Sequence, residues 1–163
     1  MDNYYNYWNN PSYYRDNVML RISNYDRRMV GPDQFLPLTG SLLDIPNNNN
    51  NGYRINPDYL QFEPGIYCIS YNVTARIPVA APTTIPLIIY ESHGGRPGMR
   101  FYASAYNIDN TATVSGTTLI RGIGFDGRGT SFELRNLTRD LNGQASSIEL
   151  VMLEIAAFKI LDI

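Results

Sequence analysis

The chain has 163 residues, a formal net charge of −2 at pH 7, 44% hydrophobic residues and 17% charged residues. This length suffices for one domain with a buried core and an attached segment. The small net charge gives no basic field, so no nucleic-acid partner and no anionic membrane partner is expected. The longest apolar runs fall well short of the roughly 18 residues that a membrane-spanning helix needs.

The first residues, 1–5, contain neither a basic nor an apolar region, so the sequence predicts no secretory signal peptide. We therefore expect the protein to be kept in a cytoplasm, or to be assembled onto a structure that the cytoplasm surrounds. Cys68 is the single cysteine, which excludes an intrachain disulfide framework. Pairing between chains is one role for Cys68, and a small buried hydrophobe is the preferred one.

Residues 1–17 are rich in aromatic residues and asparagine, and aliphatic side chains are missing until Val18. Such a segment cannot build its own core, so it is either a disordered tail or an interaction arm. The second interpretation rests on the large contact area that tyrosine and tryptophan provide at low entropic cost. The rings of this candidate assembly arm are Tyr4, Tyr5, Tyr7, Trp8, Tyr13 and Tyr14.

Residues 18–52 carry weaker patterns. Residues 18–23 fit a short strand or a docking point for the arm, and the prolines in 35–46 confine the extended pieces there to edges or loops. Asparagine and glycine resist packing, and they occupy the whole of residues 47–52. We therefore predict an arm and linker over residues 1–52 and a folded domain over residues 53–163.

Residues 65–74 have the clearest pattern in the chain. The larger side chains, Tyr67, Ile69, Tyr71 and Val73, fall on one face at period two. The small or polar side chains Cys68, Ser70, Asn72 and Thr74 fall on the other. This alternation predicts the central strand of an all-β domain.

Apolar runs separated by breakers continue through the rest of the domain and predict an antiparallel β-sandwich. The expected strands are residues 85–90, 99–105, 112–120 and 131–137, with a loop at 92–98 and a glycine-rich turn at 122–129.

The last element, residues 148–163, fits two structures. Ser146 and Glu149 have the spacing of a helix capping box. As a strand, the element has two largely apolar faces, which is expected when a strand is covered on both sides. One face would carry Leu150, Met152, Ala156, Phe158 and Ile160, and the other Val151, Leu153, Ile155 and Ala157. A strand is the preferred prediction, because every preceding element is a strand.

Residues 122–127 match the glycine pattern of a dinucleotide-binding loop, G-x-G-x-x-G. That site requires a helix to follow, so that the helix N-terminus can hold the pyrophosphate. The alternating residues 131–137 predict a strand instead. A turn between strands is therefore preferred.

His93 is the single histidine, and with Cys68 it could form a nucleophile and base. His93 lies in a predicted loop and Cys68 in a predicted strand, and no third residue is evident that would orient the pair. We therefore predict no catalytic residue. The sequence lacks the ligand sets of zinc and calcium sites, and we expect no metal and no cofactor. A cation held by Asp109 or Asp126 is the weaker alternative.

The strand motif Gly65-Ile66-Tyr67-x-Ile69-Ser70-Tyr71-x-Val73 resembles the central strand of the tumour-necrosis-factor/C1q-like (TNF/C1q-like) jelly rolls. Residues 115–120, 131–138 and 148–155 resemble the later strands of that superfamily. Within it, the chain is most similar to bacterial spore-surface proteins: the exosporium basal-layer proteins and the heads of collagen-like spore glycoproteins. The likeness covers about residues 55–163, and the Gly-X-Y repeat of the collagen-like members is missing.

This resemblance implies an eight- or ten-stranded jelly roll that forms a tight homotrimer. The small face of the central strand would allow close approach of subunits, and an apolar closing strand needs additional cover. The expected subunit interface is formed by Cys68, Ser70, Asn72, Leu150, Met152 and Phe158.

The function expected from these features is structural. A non-enzymatic jelly-roll trimer would be linked by its arm into a layer or filament on the spore surface, alone or with other spore-surface proteins. It would be made in the mother-cell cytoplasm without a signal peptide. One alternative is a trimeric module that displays residues 92–98 and 106–111 to a receptor or glycan. Another is an enzyme of unrecognised type on the same fold.

Overall fold

A computed structural model of the protein describes residues 18–38, 42–44, 52–78, 85–93, 100–105, 110–125 and 131–163. These residues form two antiparallel sheets and contain no helix. The expected all-β class is therefore confirmed. Residues 1–17, with the predicted arm rings, and the asparagine run at 47–51 lie outside the described part.

The first sheet has the strand order β3-β1-β11-β6-β9, with β2 also paired to β11. Its strands are β1 (Val18–Asn24), β2 (Arg28–Val30), β3 (Leu42–Asp44), β6 (Gly65–Arg76), β9 (Thr111–Gly122) and β11 (Ile148–Leu161). The second sheet has the order β4-β5-β10-β7-β8. Its strands are β4 (Tyr53–Ile55), β5 (Leu60–Phe62), β7 (Ile85–His93), β8 (Arg100–Ala105) and β10 (Ser131–Asn136).

The core lies between the two sheets, and β6 provides its centre. Tyr67, Ile69, Tyr71 and Val73 are buried, while the residues between them are half-exposed. The face assignment made from the alternation of residues 65–74 is confirmed. Burying a large apolar side chain contributes about 1.5–3 kcal/mol, so these positions fix the orientation of the strand.

Residues before the predicted domain boundary at residue 52 also belong to the sandwich. Strand β1 pairs with β11, and Leu20 and Ile22 are fully buried in the common core. Leu36 and Leu38 are buried there too. The alternation of the short segment 18–23 gave too weak a signal to separate a core strand from a docking point.

The closing element is a strand, as preferred, but the face assigned to Leu150 is wrong. Pairing of β11 with β6 shifts register between Leu150 and Met152. This irregularity places Leu150 on the core face with Leu153 and Ile155, and its side chain is fully buried. A strict period of two cannot foresee a bulge, which inserts an extra residue into one strand.

Strand β7 extends beyond the predicted residue 90, so Ser92 and His93 belong to a strand and not to a loop.

The described ends of the glycine-rich segment 122–129 agree with the predicted turn between two strands. Gly122 ends β9, and the chain continues after the undescribed residues 126–130 as strand β10. A Cβ atom at Gly122 would collide with the carbonyl oxygen of Glu63, so the close approach of these backbones requires glycine.

Candidate assembly interface

The outward face of β11, β6 and β9 is the surface on the side of the first sheet that points away from the core. Its centre is a ladder of polar side chains that face each other across β6 and β9. Ser70 and Thr117 share a hydrogen bond of 3.1 Å, and Thr74 and Thr113 share one of 2.8 Å. Between these pairs, the Ser115 hydroxyl donates to Asn72 Oδ1 at 2.6 Å.

Each pair in this ladder occupies directly opposed positions of the antiparallel register. Each of these side chains has a hydrogen-bond partner within the ladder, so a neighbouring surface that covers them would leave none of them wholly unpaired. The cost of burying a polar group falls mainly on groups that lose their partners. The ladder is therefore polar in composition but suited to burial.

An apolar row crosses the outward face beside the polar ladder. Phe158 of β11 lies opposite Cys68 of β6, and Cys68 lies opposite Leu119 of β9. Cys68 and Phe158 are half-buried, while Leu119 is 63% exposed. A row of three apolar side chains in contact with water is unfavourable for an isolated subunit and typical of a contact surface.

Charged side chains also lie on this face. On β11, Glu154 Oε1 accepts a hydrogen bond of 2.9 Å from the Tyr25 hydroxyl, which raises the pKa of Tyr25. Glu149 is 3.7 Å from Arg76 at the far end of β6. Glu154 lies opposite Asn72 of the ladder, so the centre of this face is polar and also carries charge.

Five of the six residues predicted for the subunit interface lie on this outward face. They are Cys68, Ser70, Asn72, Met152 and Phe158; Met152 lies opposite Thr74 and is half-exposed. Leu150 does not belong to the set, because its side chain has no exposed surface to offer a neighbour. Leu119 and Thr117 were not foreseen, although their positions on the polar side of strand 112–120 pointed to this face.

A second cluster of polar side chains lies inside the core. Glu91 is fully buried and accepts a hydrogen bond of 2.9 Å from the Tyr71 hydroxyl through Oε2. Its other oxygen, Oε1, is 2.5 Å from His93 Nε2. The Tyr71 ring contacts Phe101 edge-on with centroids 5.6 Å apart, and Gly116 leaves the space that the phenol occupies.

This cluster raises the pKa of the Tyr71 phenol, first through burial and then through the charge and hydrogen bond of Glu91. This cluster was not predicted, because the strand expected from the sequence ended at residue 90 and did not include Glu91. Glu91 continues the buried series of Ile85, Leu87 and Ile89, and a carboxylate at a core position demands partners.

The structure does not bring the considered catalytic pair together. Cys68 points outward from the first sheet, whereas His93 belongs to the second sheet and contacts Glu91 in the core. Within the described ranges, no group of three or more histidine, cysteine, aspartate or glutamate residues could hold a metal ion. Asp109, Asp126 and most residues of the proposed display loops lie outside those ranges.

The part of the chain that the structure describes contains no helix long and apolar enough to cross a membrane.

No protein-family model matches the sequence, and no curated protein matches it. Solved structures are similar in fold. Eiger TNF from S. frugiperda superposes with a TM-score of 0.57 at 11% identity, covering 90% of this chain and 95% of the other. Murine APRIL superposes with a TM-score of 0.50 at 13% identity, covering 86% and 98%. The chain is therefore an all-β protein with the TNF-like jelly-roll fold.

Proposed function

We propose that the protein is a non-enzymatic, self-assembling structural protein whose jelly roll forms a homotrimer through the outward face of β11, β6 and β9. The observation that carries this proposal is the combination of an apolar row with an internally hydrogen-bonded polar ladder on one open sheet face. The TNF-like fold supports it, because the resemblance of residues 65–73 to that superfamily implies a trimer.

A three-fold contact is heterologous, so the outward face of one subunit must meet a different surface of the next. The edge of β9 is a suitable second surface. Among the described strands, β9 pairs with β6 alone, over 12 residues without proline or lysine. Strand edges of this length normally carry residues that prevent pairing with other chains, such as proline or lysine. Burial of the edge within a trimer would explain why β9 has neither.

Linkage of trimers through residues 1–17 would extend the assembly. Their six aromatic rings can supply contact area on a neighbouring trimer, and arm contacts that do not close a ring produce filaments or layers. The location we propose is the bacterial spore surface, with other proteins of that surface as partners. The support for this location is the resemblance of the strand motifs to spore-surface jelly rolls.

The test introduces a charge into the centre of the outward face. Ser70→Lys places a long, charged side chain within the polar ladder, where a subunit contact would bury its charge. We expect this variant to sediment as a single chain, while the unaltered protein sediments as a trimer. Gln61→Lys is the matched control, because Gln61 is a half-exposed position of β5 in the other sheet. A trimeric Ser70→Lys variant would show that another surface forms the contact.

A further inference from the structure

The outward face of β11, β6 and β9 carries a carboxylate beside its polar ladder. Glu154 of β11 lies opposite Asn72 of β6 on one side and opposite Ser23 of β1 on the other. Directly opposed residues of an antiparallel sheet share a face, with Cβ atoms about 5 Å apart. Because Asn72 also lies opposite Ser115 of β9 and bonds to it, Glu154 extends this row of the ladder onto β11.

Glu154 has a single hydrogen-bond partner within the part of the chain that the structure describes. The Tyr25 hydroxyl donates to Glu154 Oε1 at 2.9 Å, and no lysine or arginine of the described ranges forms an ion pair with this carboxylate. The hydrogen bond and the charge of Glu154 raise the pKa of Tyr25, and the positive charge of Arg21 offsets only part of this rise. Glu154 is half-exposed, so water solvates the other carboxylate oxygen in the separate subunit.

The remaining charges near Glu154 belong to the strands on either side of β11. The side chains that share its face of β11 are neutral, namely Met152 and Ala156. The titratable and charged groups of the neighbouring strands and their connections are Arg21 and Tyr25, the ion pair of Asp26 and Arg28, Asp44 opposite Arg21, Cys68, and Arg76 in its pair with Glu149. None of these groups gives Glu154 a countercharge in direct contact.

A subunit that covers this face would remove the water from Glu154. A buried carboxylate without a full set of partners is unfavourable, and desolvation favours its neutral form. The protonated carboxyl is a donor as well as an acceptor. Asn72 Oδ1 accepts a hydrogen bond from Ser115, and an amide oxygen has a second lone pair that can accept another. Protonation therefore suits Glu154 to a covered position beside the ladder.

We propose that trimer formation is coupled to the uptake of one proton per subunit at Glu154. This inference rests on the proposed function, because it concerns the same outward face. The trimer binds more protons than three separate subunits do, so lowering the pH favours the trimer and raising the pH favours separation. The proton is then the ligand that regulates assembly.

The experiment compares three full-length proteins by sedimentation equilibrium between about pH 5 and about pH 8: the unaltered chain, Glu154→Gln and Glu63→Gln. Glutamine has the shape of a protonated glutamate and carries no charge at any of these pH values. Glu63→Gln is the matched control, because Glu63 is exposed in the connection between β5 and β6. Circular dichroism at each pH establishes that the proteins are folded.

For the unaltered chain, we expect the concentration at which half of the chains are trimeric to rise at least tenfold from pH 5 to pH 8. Three coupled protons allow the association constant to change by up to about a thousandfold per pH unit. Glu154→Gln should respond little to pH and should assemble at pH 8 at a lower concentration than the unaltered chain. Glu63→Gln should behave as the unaltered chain does.

A Glu154→Gln trimer that is weaker than the unaltered trimer at pH 8 would overturn the proposal, because the carboxylate would then have a donor or a cation on the neighbouring subunit. Equal responses to pH in these two proteins would overturn it as well. Single chains of all three proteins at every pH would instead contradict the homotrimer itself, and the coupling would fall with it. A failure of proton coupling is therefore distinguishable from a failure of the proposed assembly.

Discussion

A fully buried carboxylate needs partners, and Glu91 obtains them from both sheets. Tyr71 of β6 donates to one carboxylate oxygen, and His93 lies 2.5 Å from the other. This polar cluster in an otherwise apolar core links the central strand of the first sheet to β7 of the second. Because partially satisfied groups in a core are costly, the cluster should contribute to stability only while it is complete.

Tyr71→Phe should therefore lower the free energy of unfolding by about 1–3 kcal/mol, since it leaves Glu91 Oε2 without its buried donor. Urea denaturation followed by fluorescence measures the change. Tyr102→Phe serves as the control, because Tyr102 is 62% exposed and its substitution should change stability little. Equal effects of the two substitutions would mean that the hydrogen bond to Glu91 does not contribute to stability.

The tyrosines also predict how stability depends on pH. Burial raises the pKa of Tyr53, Tyr67 and Tyr71 above the ordinary value of 10.0. These groups contribute to stability fully below pH 10, and the contribution is lost as the pH rises through their pKa values in the folded protein. The reason is that the unfolded chain releases these protons at a lower pH than the folded chain does. Alkaline titration should show phenolate absorbance appearing together with loss of β-sheet circular dichroism. Smooth ionisation of every tyrosine at pH 10 in a folded protein would contradict this expectation.

At the level of elements, strands with a regular period of two could be predicted from the sequence. The alternation over residues 65–74 gave both the existence of β6 and its buried face. Features that break the period could not be predicted in the same way. The bulge in β11 moved Leu150 into the core, and β1 was too short for its pattern to show that it belongs to the sheet. Most of the outward face was predictable because it follows from the alternation of β6.

The corrected assignment of side chains to the two faces of β11 predicts different effects of substitution at Leu150 and at Met152. Leu150→Ala should destabilise the subunit by about 2–5 kcal/mol, because it leaves a cavity in the core. Met152→Ala should change the stability of the isolated subunit much less, since Met152 is half-exposed on the outward face. Both are measured by urea denaturation in the Ser70→Lys background, where subunit contacts are expected to be lost. A larger loss of unfolding free energy for Met152→Ala than for Leu150→Ala would support the original face assignment.

At the level of the whole molecule, the jelly roll separates two kinds of surface. The core-facing sides of both sheets are closed by packing, whereas the outward face of the first sheet is partly apolar and is not covered by the described residues. Covering this face with a second subunit would remove apolar area from water at about 25 cal/mol per Å². An energetic reason for the proposed assembly is therefore present in the folded subunit itself.

Sedimentation equilibrium of the full chain tests this account most directly. We predict a species with three times the 18.5 kDa mass of the chain, and larger species when trimers are linked. The Ser70→Lys variant should instead have the mass of one chain. A folded, unaltered protein that retains the mass of a single chain at high concentration would contradict the proposed homotrimer.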